Sequence, residues 1–498
     1  MQTKKTGNAM SINLVWLKRD IRLADNPPLQ EAIANSIDRQ TPLILLYVFE
    51  ELLLDDAHYS ARHWRFVYQS LTDIANHLPQ KAIWVAHGDV LEIIVDIHQQ
   101  HHINNIYSHQ EVGLENTYDR DKKVQAWCQN HKVNWHQSQL GAVQRGLINR
   151  QNWDKHWASV MRAPIKSTSF DNVSLIPPPN NLSTLDANWV DPQWIDVDQN
   201  FQFGGESQAM IVAKSFFEER GKSYSYSLSS PLLSREYCSR LSPYLAWGNI
   251  SLRQVYQILL SHWQKPGWRR SLSALSSRLH WHCHFIQKFE SEHRMEHEAI
   301  NRGYKNLPRD NTQAAAHNLL AWKTGNTGYP MVDACMRCLL KTGYINFRMR
   351  AMLVSFLTHH LHLDWRSGVQ HLASLFLDFE PGIHYSQFQM QAGITGINTI
   401  RVYNPIKQSQ EKDTEGLFIK SWIPELVHIP VPIIHEPWLM TNMEQMMYSF
   451  KLGEDYPVPI VDIKTSGKQA RELLWQWRNN PQVKQESYRI LARHVRPD

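Results

Sequence analysis

The sequence predicts two differently built parts in one chain: an α/β N-terminal domain on a doubly wound parallel sheet, and a larger all-α C-terminal domain joined to it by a long linker. Three observations carry this reading. The chain has 498 residues, too many for one compact core. Its first 140 residues alternate short apolar runs with amphipathic stretches, the order of βαβ units. Beyond Gln208 apolar residues recur at helical spacing almost without interruption.

In order, the expected strands are Asn13–Leu17, Leu43–Phe49, Ala82–Ala86, Ile103–Ser108 and Val133–His136. Helices are expected between them at Pro28–Ser36, Ala61–Leu78, Val90–Gln100 and Asn116–Asn130. Strands separated by helices pair in parallel through right-handed crossovers. The domain carries neither a G-x-G-x-x-G nor a P-loop motif, so the usual sequence support for a dinucleotide or phosphate loop is missing. Residues 1–140 form this domain. A linker at 141–206 follows, marked by fading periodicity and by Pro177-Pro178-Pro179-Asn180-Asn181, a run that is extended or turning. The helical domain takes 207–498, with segments at Met210–Glu219, Leu252–Gln264, Ser271–Phe289, Gly328–Leu340 and Asn346–His360.

Composition narrows the class. With 42% hydrophobic and 20% charged residues, the chain is neither disordered nor fibrous. A net charge of +5 permits a polyanionic partner without demanding one. Five scattered cysteines are too few for a disulfide framework and suggest a reducing, cytoplasmic setting. Met1–Asn13 is polar, and Pro42–Leu54 is interrupted by Glu50 and Glu51, so neither reads as a leader or a membrane span.

Several clusters could carry chemistry. Cys335-x-x-Cys338 is half of a metal site, but no second pair accompanies it, and two thiols three apart on a helix read as buried structural residues. His280 and His284 share a helix face, open to metal, pocket or packing roles. His359-His360, with His362 near Asp364, reads as a solvated helix end. Hydroxyls and guanidinium groups from Ser229 through Ser234-Arg235 to Cys238-Ser239-Arg240-Leu241-Ser242-Pro243 either hold a phosphate or make ordinary helix-start turns.

Taken together, ordered motifs across some 400 residues resemble the photolyase/cryptochrome flavoprotein family, in the manner of a divergent bacterial-type member. Val15-Trp16-Leu17-Lys18-Arg19-Asp20-Ile21-Arg22-Leu23-Ala24-Asp25-Asn26 is similar to its opening strand and loop, and Ser239 to Gly248 to its flavin-phosphate motif. Trp322 to Ala334, containing Thr327-Gly328-Tyr329-Pro330-Met331-Val332-Asp333-Ala334, is similar to a further signature. Asn346-Phe347-Arg348-Met349-Arg350, Asp364-Trp365-Arg366, Val402-Tyr403-Asn404-Pro405 and Trp422-Ile423-Pro424-Glu425-Leu426 continue the series.

The resemblance implies FAD buried in the helical domain and room for an antenna chromophore of pterin or deazaflavin type in the N-terminal one. Carried over singly, Tyr226, Ser239, Arg240, Leu241 and Ser242 match residues around the FAD phosphates, with Cys238 where a threonine hydroxyl is common. Arg350 and Asp378 match a charged pair beside the flavin ring, followed by Glu380. The position facing flavin N5, an asparagine in repair enzymes, falls on His384, or on Tyr385 if the alignment slips by one. Trp365 matches the middle tryptophan of the family's electron path, whereas the flavin-proximal position is Phe388 and the surface one Thr312. That path is cut at both ends, which leaves either a route through Tyr385, Trp281 or Tyr403, or slow photoreduction.

In the lesion pocket, Trp281 matches a base-stacking tryptophan. Arg278 replaces a glutamate, Met390 a second tryptophan and Ala351 a methionine. No cysteine follows Cys338, so no iron–sulfur cluster is expected. The implied function is blue-light-driven repair of pyrimidine photoproducts in damaged DNA by an FAD-dependent lyase acting as a monomer, with Arg401 and Lys407 either touching phosphates or serving as ordinary surface charge. The alternative is a cryptochrome-like blue-light photosensor or flavin redox protein without repair.

Overall fold

The structure, a computed structural model, describes residues 11–179, 185 and 188–495. Met1–Met10, Asn180 and Asn181 of the segments discussed above lie outside the described residues. The chain forms two compact units: Met1–Arg145 with Lys155–Lys214 and Leu241–His262, and Gly146–Asp154 with Ser215–Arg240 and Trp263–Asp498.

The first unit is built on five strands, β1 (Ile12–Leu17), β2 (Leu43–Glu50), β3 (Trp84–Gly88), β4 (Ile103–His109) and β5 (Asn134–Ser138). All pair in parallel in the order β3-β2-β1-β4-β5. Every residue of β1 and β2 is buried, which explains their unbroken apolar runs: a central parallel strand has helices over both faces. Helices α1 (Pro27–Arg39), α2 (Ala61–His77), α3 (Val90–His101) and α4 (Glu115–His131) make the crossovers. Asn26 caps α1 by accepting from the Leu29 amide at 3.2 Å, with prolines opening the first turn.

Helices α1, α3 and α4 run past their expected ends because Gln40, His102 and Lys132 take the left-handed capping conformation. That position usually falls to glycine or asparagine, so the sequence carried no stop signal there. Strand β3 begins two residues late because Ala82 ends the 3₁₀ turn opened by Pro79. Strand β5 is displaced to Asn134–Ser138.

The strand order reverses between β1 and β4, the place where open α/β sheets bind ligands. Here buried charges occupy it. Lys18 Nζ reaches Asp121 at 2.7 Å and lies 4.2 Å from the Trp16 ring. Arg120 bridges Glu50 and Glu111, each at 2.5 Å, and Asp20 meets His109 at 2.8 Å.

The second unit is helical. It contains α5 (Arg269–Ser291), α6 (Gln313–Thr324), α7 (Pro330–Thr342), α8 (Phe347–Ser355), α9 (Arg366–Leu375), α10 (Pro381–Gln391), α11 (Ile463–Arg478) and α12 (Pro481–His494). Helices α5 and α10 cross closely at Gly382. A Cβ there would stand 2.7 Å from the Ile286 Cα, inside van der Waals contact. Gly382→Ala is therefore expected to destabilise this unit by about 1–3 kcal/mol, read as a lower urea midpoint. An unchanged midpoint would mean that the crossing yields freely.

The Asp333 motif proves to be a brace. Its buried carboxylate accepts from the Thr327 amide at 2.8 Å, the Thr327 hydroxyl at 2.6 Å and the Gly328 amide at 3.0 Å, fixing the turn into α7. The tyrosine hydroxyl of Tyr456 adds a fourth bond. Cys335 and Cys338 are fully buried on α7.

Two sequence expectations fail after α8. The helix expected through His360 changes at Phe356–His360 into a π turn, in which the Leu361 amide bonds to the Phe356 carbonyl. His359 and His360 are not a solvated end. They are 3% and 4% exposed, with Nε2 of each donating to a carbonyl, of Gln391 at 3.0 Å and of Tyr403 at 2.8 Å.

Burial, with Arg309 and His360 nearby, pushes the His359 imidazole down to about 3, and burial likewise lowers His494 to about 4 despite its bond to Glu292. Both imidazoles are uncharged in the fold and protonate readily once unfolded, so the unfolded chain binds more protons as pH falls below about 6.5. Stability should therefore drop from pH 7 to pH 4, visible as a falling urea midpoint. Glu50, raised by burial to about 7, acts in the opposite sense. The histidine contribution is read as the difference from a His359→Gln variant, whose drop should be smaller. An equal drop would contradict a neutral His359 in the fold.

Candidate functional site

A cavity of about 520 Å³, counting its open mouth, lies in the helical unit among α8, α10 and the turn before α10. Helix α8 contributes Phe347, Arg350, Ala351 and Val354, spaced three, four and seven apart on one face. From α10 come Ile383, His384, Gln387, Phe388 and Gln391, again one face. Apolar walls surround a few polar groups, as in small-molecule sites generally.

The main polar feature is an ion pair. Arg350 Nη2 reaches Asp378 Oδ2 at 2.8 Å, Arg350 Nε donates to the Ile345 carbonyl at 3.0 Å, and the guanidinium lies 4.0 Å from the Phe376 ring centre. Asp378 is almost wholly buried, and a carboxylate so placed is stable only when paired. Arg240 belongs to the same neighbourhood: its guanidinium lies 3.6 Å from the Tyr344 ring centre, and the Asp378 charge acts on it. Burial lowers the Arg240 pKa first of all. Its backbone has φ of +58°, a left-handed conformation that a non-glycine residue adopts at a cost of about 1 kcal/mol, common where chains shape binding sites.

His384 lines the cavity with Nε2 donating to the Val369 carbonyl at 2.9 Å, which fixes the ring by that nitrogen. Rings of Phe379 and Phe388 flank it at 5.3 and 5.6 Å. Glu380 also lines the cavity.

Other expected site residues stand elsewhere. Ser239 offers its carbonyl to Arg220 Nη2 at 2.8 Å, and Arg220 also binds the Cys238 carbonyl. Tyr226 is 71% exposed beneath the Arg270 guanidinium. Leu241 is buried and Ser242 opens the short helix Ser242–Ala246, both in the first compact unit. Trp281, Arg278, Trp365 and Met390 are outside the cavity lining.

Trp281 stacks on Phe285 at 5.5 Å while remaining 48% exposed, and Arg278, one turn earlier on α5, is exposed as well. Trp365 is buried, 6.2 Å from the Tyr385 ring and 6.4 Å from Phe388. Thr312 caps α6 by accepting from the Ala315 amide at 3.2 Å, a structural reason for threonine there. Arg401 is exposed, and Lys407 is 3.6 Å from Glu411.

Gln387 was missed in the sequence. Its Oε1 is buried without a hydrogen-bond partner among the described residues, and the side chain lines the cavity. Its spacing of three from His384 and seven from Glu380 on α10 is the signal that would have found it. An unpartnered amide acceptor, an ion pair and aromatic walls fit a flat ring edged with N–H and carbonyl groups, as the flavin of FAD presents. No ligand-like cluster of three or more His, Cys, Asp or Glu side chains occurs among the described residues.

The comparisons agree with this geometry. Residues 13–143 match the model for DNA photolyase, and residues 274–476 the model for the FAD binding domain of DNA photolyase. The chain is 29% identical to the cryptochrome DASH of Synechocystis over 487 residues, covering 92% of this chain and 97% of that one. It is 34% identical to the deoxyribodipyrimidine photo-lyase of Alkalihalophilus pseudofirmus over 268 residues, 53% of this chain and 54% of the other. A crystal structure of a Synechocystis cryptochrome superposes with a TM-score of 0.80 at 25% identity, covering 93% and 99% of the two chains. With an α/β unit of parallel strands, a helical unit of the FAD-binding type and a charged pair set in its cavity, this chain belongs to the photolyase/cryptochrome flavoprotein family.

Proposed function

We propose that the protein is a blue-light-driven, FAD-dependent lyase that repairs pyrimidine photoproducts in DNA. The observation that carries this reading is the half-exposed Trp281, stacked by one face on Phe285 and with much of its surface open to solvent. An aromatic ring so held is a platform for an unstacked base, a contact of about 1–3 kcal/mol. Arg278 extends the platform with a positive charge able to meet a lesion or its phosphate.

FAD, when bound in the cavity, supplies a light-excited one-electron donor. Arg350 and Asp378 hold its ring edge, with Arg350 anchored by the Ile345 carbonyl so that the pair keeps its geometry. Gln387 offers an acceptor to a ring N–H. His384, locked through Nε2, presents the remaining imidazole edge beside Phe379 and Phe388, where it tunes the hydrogen bonding at the ring. Arg240, and with it the Ser239 turn, supplies positive charge toward the phosphates. The α/β unit's switch point is taken up by its own ion pairs, and we assign no residue to an antenna chromophore. No helix among the described residues is long and apolar enough to cross a membrane.

The test is to irradiate an oligonucleotide bearing a cyclobutane or (6-4) photoproduct with the reduced holoprotein under blue light and count restored pyrimidines. Light-dependent restoration is expected, reduced in Trp281→Ala. No gain on any photoproduct would favour the photosensor reading, which the altered lesion pocket, with Arg278, Met390 and Ala351 in place of family residues, supports.

A further inference from the structure

Away from the cavity, the helical unit buries two cations, Arg150 and Lys288, near each other, with Glu290 and Asp154 acting on Arg150 from a distance. Arg150 is 4% exposed and Lys288, on α5, is 8% exposed. Arg150 Nη2 donates to the His284 carbonyl at 3.2 Å, and its guanidinium lies 4.9 Å from the Trp153 ring. Trp153 packs edge-on against His280 at 5.1 Å and His284 at 6.2 Å. Among the described residues, Arg150 Nη1 and Trp153 Nε1 are buried donors with no acceptor, and the Lys288 ammonium lies 5.8 Å from the Phe285 ring centre.

The nearby carboxylates are committed. Glu290 accepts from the Gly146 amide at 2.8 Å and from Gln287 and Ser291 at 3.2 Å. Glu292 is held by Arg489, by Arg294 at 3.3 Å and by Arg493 and His494 at 3.4 Å. Asp154 pairs with His280 at 3.0 Å.

We propose that Arg150, Trp153 and Lys288 form a binding site for a small oxyanion, a free phosphate or carboxylate group, distinct from the flavin cavity. Two buried donors with no acceptor need one, and a further cation, Lys288, whose charge is opposed by that of Arg150, favours an anion beside them. Arg150 supplies a planar donor edge, Lys288 a point charge and Trp153 a third, neutral donor. Lys288 serves as a cation at neutral pH: burial and the Arg150 charge lower it only to about 8. His284, pushed to about 2 by burial and then by Lys288 and Arg150, stays neutral and adds no charge of its own. The groups in contact with the site are too deeply buried for the backbone of a DNA duplex, which selects a small free anion.

Calorimetric titration of the intact flavin-loaded protein with inorganic phosphate, and separately with acetate, at constant ionic strength tests this. Saturable one-site binding of either is expected, weakened about tenfold or more in Lys288→Met, since a charge-assisted hydrogen bond contributes that much. Trp153→Phe keeps the ring, removes one donor and should weaken binding by a smaller factor, a second reading if Lys288→Met fails to fold. The flavin absorbance should stay unchanged throughout. Absence of saturable heat with both anions, or equal affinity in wild type and both variants, would overturn the proposal.

Discussion

Replacing Asp378 by asparagine will cost the protein its flavin. The substitution keeps the shape of the side chain and removes the charge opposite Arg350, 2.8 Å away. Among the described residues Arg350 then keeps the Ile345 carbonyl, the Phe376 ring and at best a neutral amide oxygen at 378, with no carboxylate opposite its charge. Breaking one side of a largely buried pair costs about 3 kcal/mol, and Arg240, which also feels the Asp378 charge, loses part of its electrostatic support. The expected result is a lower urea midpoint and FAD affinity reduced about tenfold to a hundredfold, measured by flavin fluorescence titration. Asp378→Glu, which keeps the charge, should recover part of the affinity. Undiminished FAD binding by Asp378→Asn would show that the ion pair shapes the fold and leaves the cofactor alone.

The second large effect concerns electron supply. Phe388 lines the cavity, and its ring lies 6.4 Å from that of Trp365. Phenylalanine is hard to oxidise, so Trp365 has a poor neighbour on the cavity side. Phe388→Trp places an oxidisable ring between Trp365 and the cofactor site. Light-driven bleaching of the flavin absorbance in the presence of an external reductant should then be clearly faster than in wild type. The larger ring must fit a position that is 2% exposed, so a stability loss of about 1–3 kcal/mol accompanies the gain. Unchanged bleaching kinetics in a folded, flavin-loaded variant would show that electrons already arrive by another path, for which Tyr385, 6.2 Å from Trp365, is placed.

Much of this was legible in the sequence because its physical causes are local. The five strands and four crossover helices announce themselves through burial on both faces of β1 and β2 and through the periodicity of α1 to α4. What escaped was set by backbone conformations without a residue signature. Left-handed caps at Gln40, His102 and Lys132 lengthen three helices, and a π turn replaces the end of a helix at Phe356–His360. His359 and His360 looked solvated because their partners, the Gln391 and Tyr403 carbonyls, are distant in sequence.

The site shows the same division. Arg350 with Asp378, and His384, are named by the motifs, and the structure brings them into one cavity with Glu380, Ala351 and Phe388. Gln387 was missed because no motif names it, although helical spacing from His384 sufficed. Nothing in the local sequence around Arg150 or Lys288 foretold their cluster, since it joins a loop to a helix more than a hundred residues later.

The proposed function requires FAD in the cavity that Arg350 and Asp378 flank. The most direct test is the visible absorption spectrum of the protein purified in the dark, before and after incubation with FAD and removal of excess. The predicted result is a yellow protein whose flavin bands survive gel filtration in wild type and fade in Asp378→Asn. A folded protein that emerges colourless and retains no added FAD would contradict it.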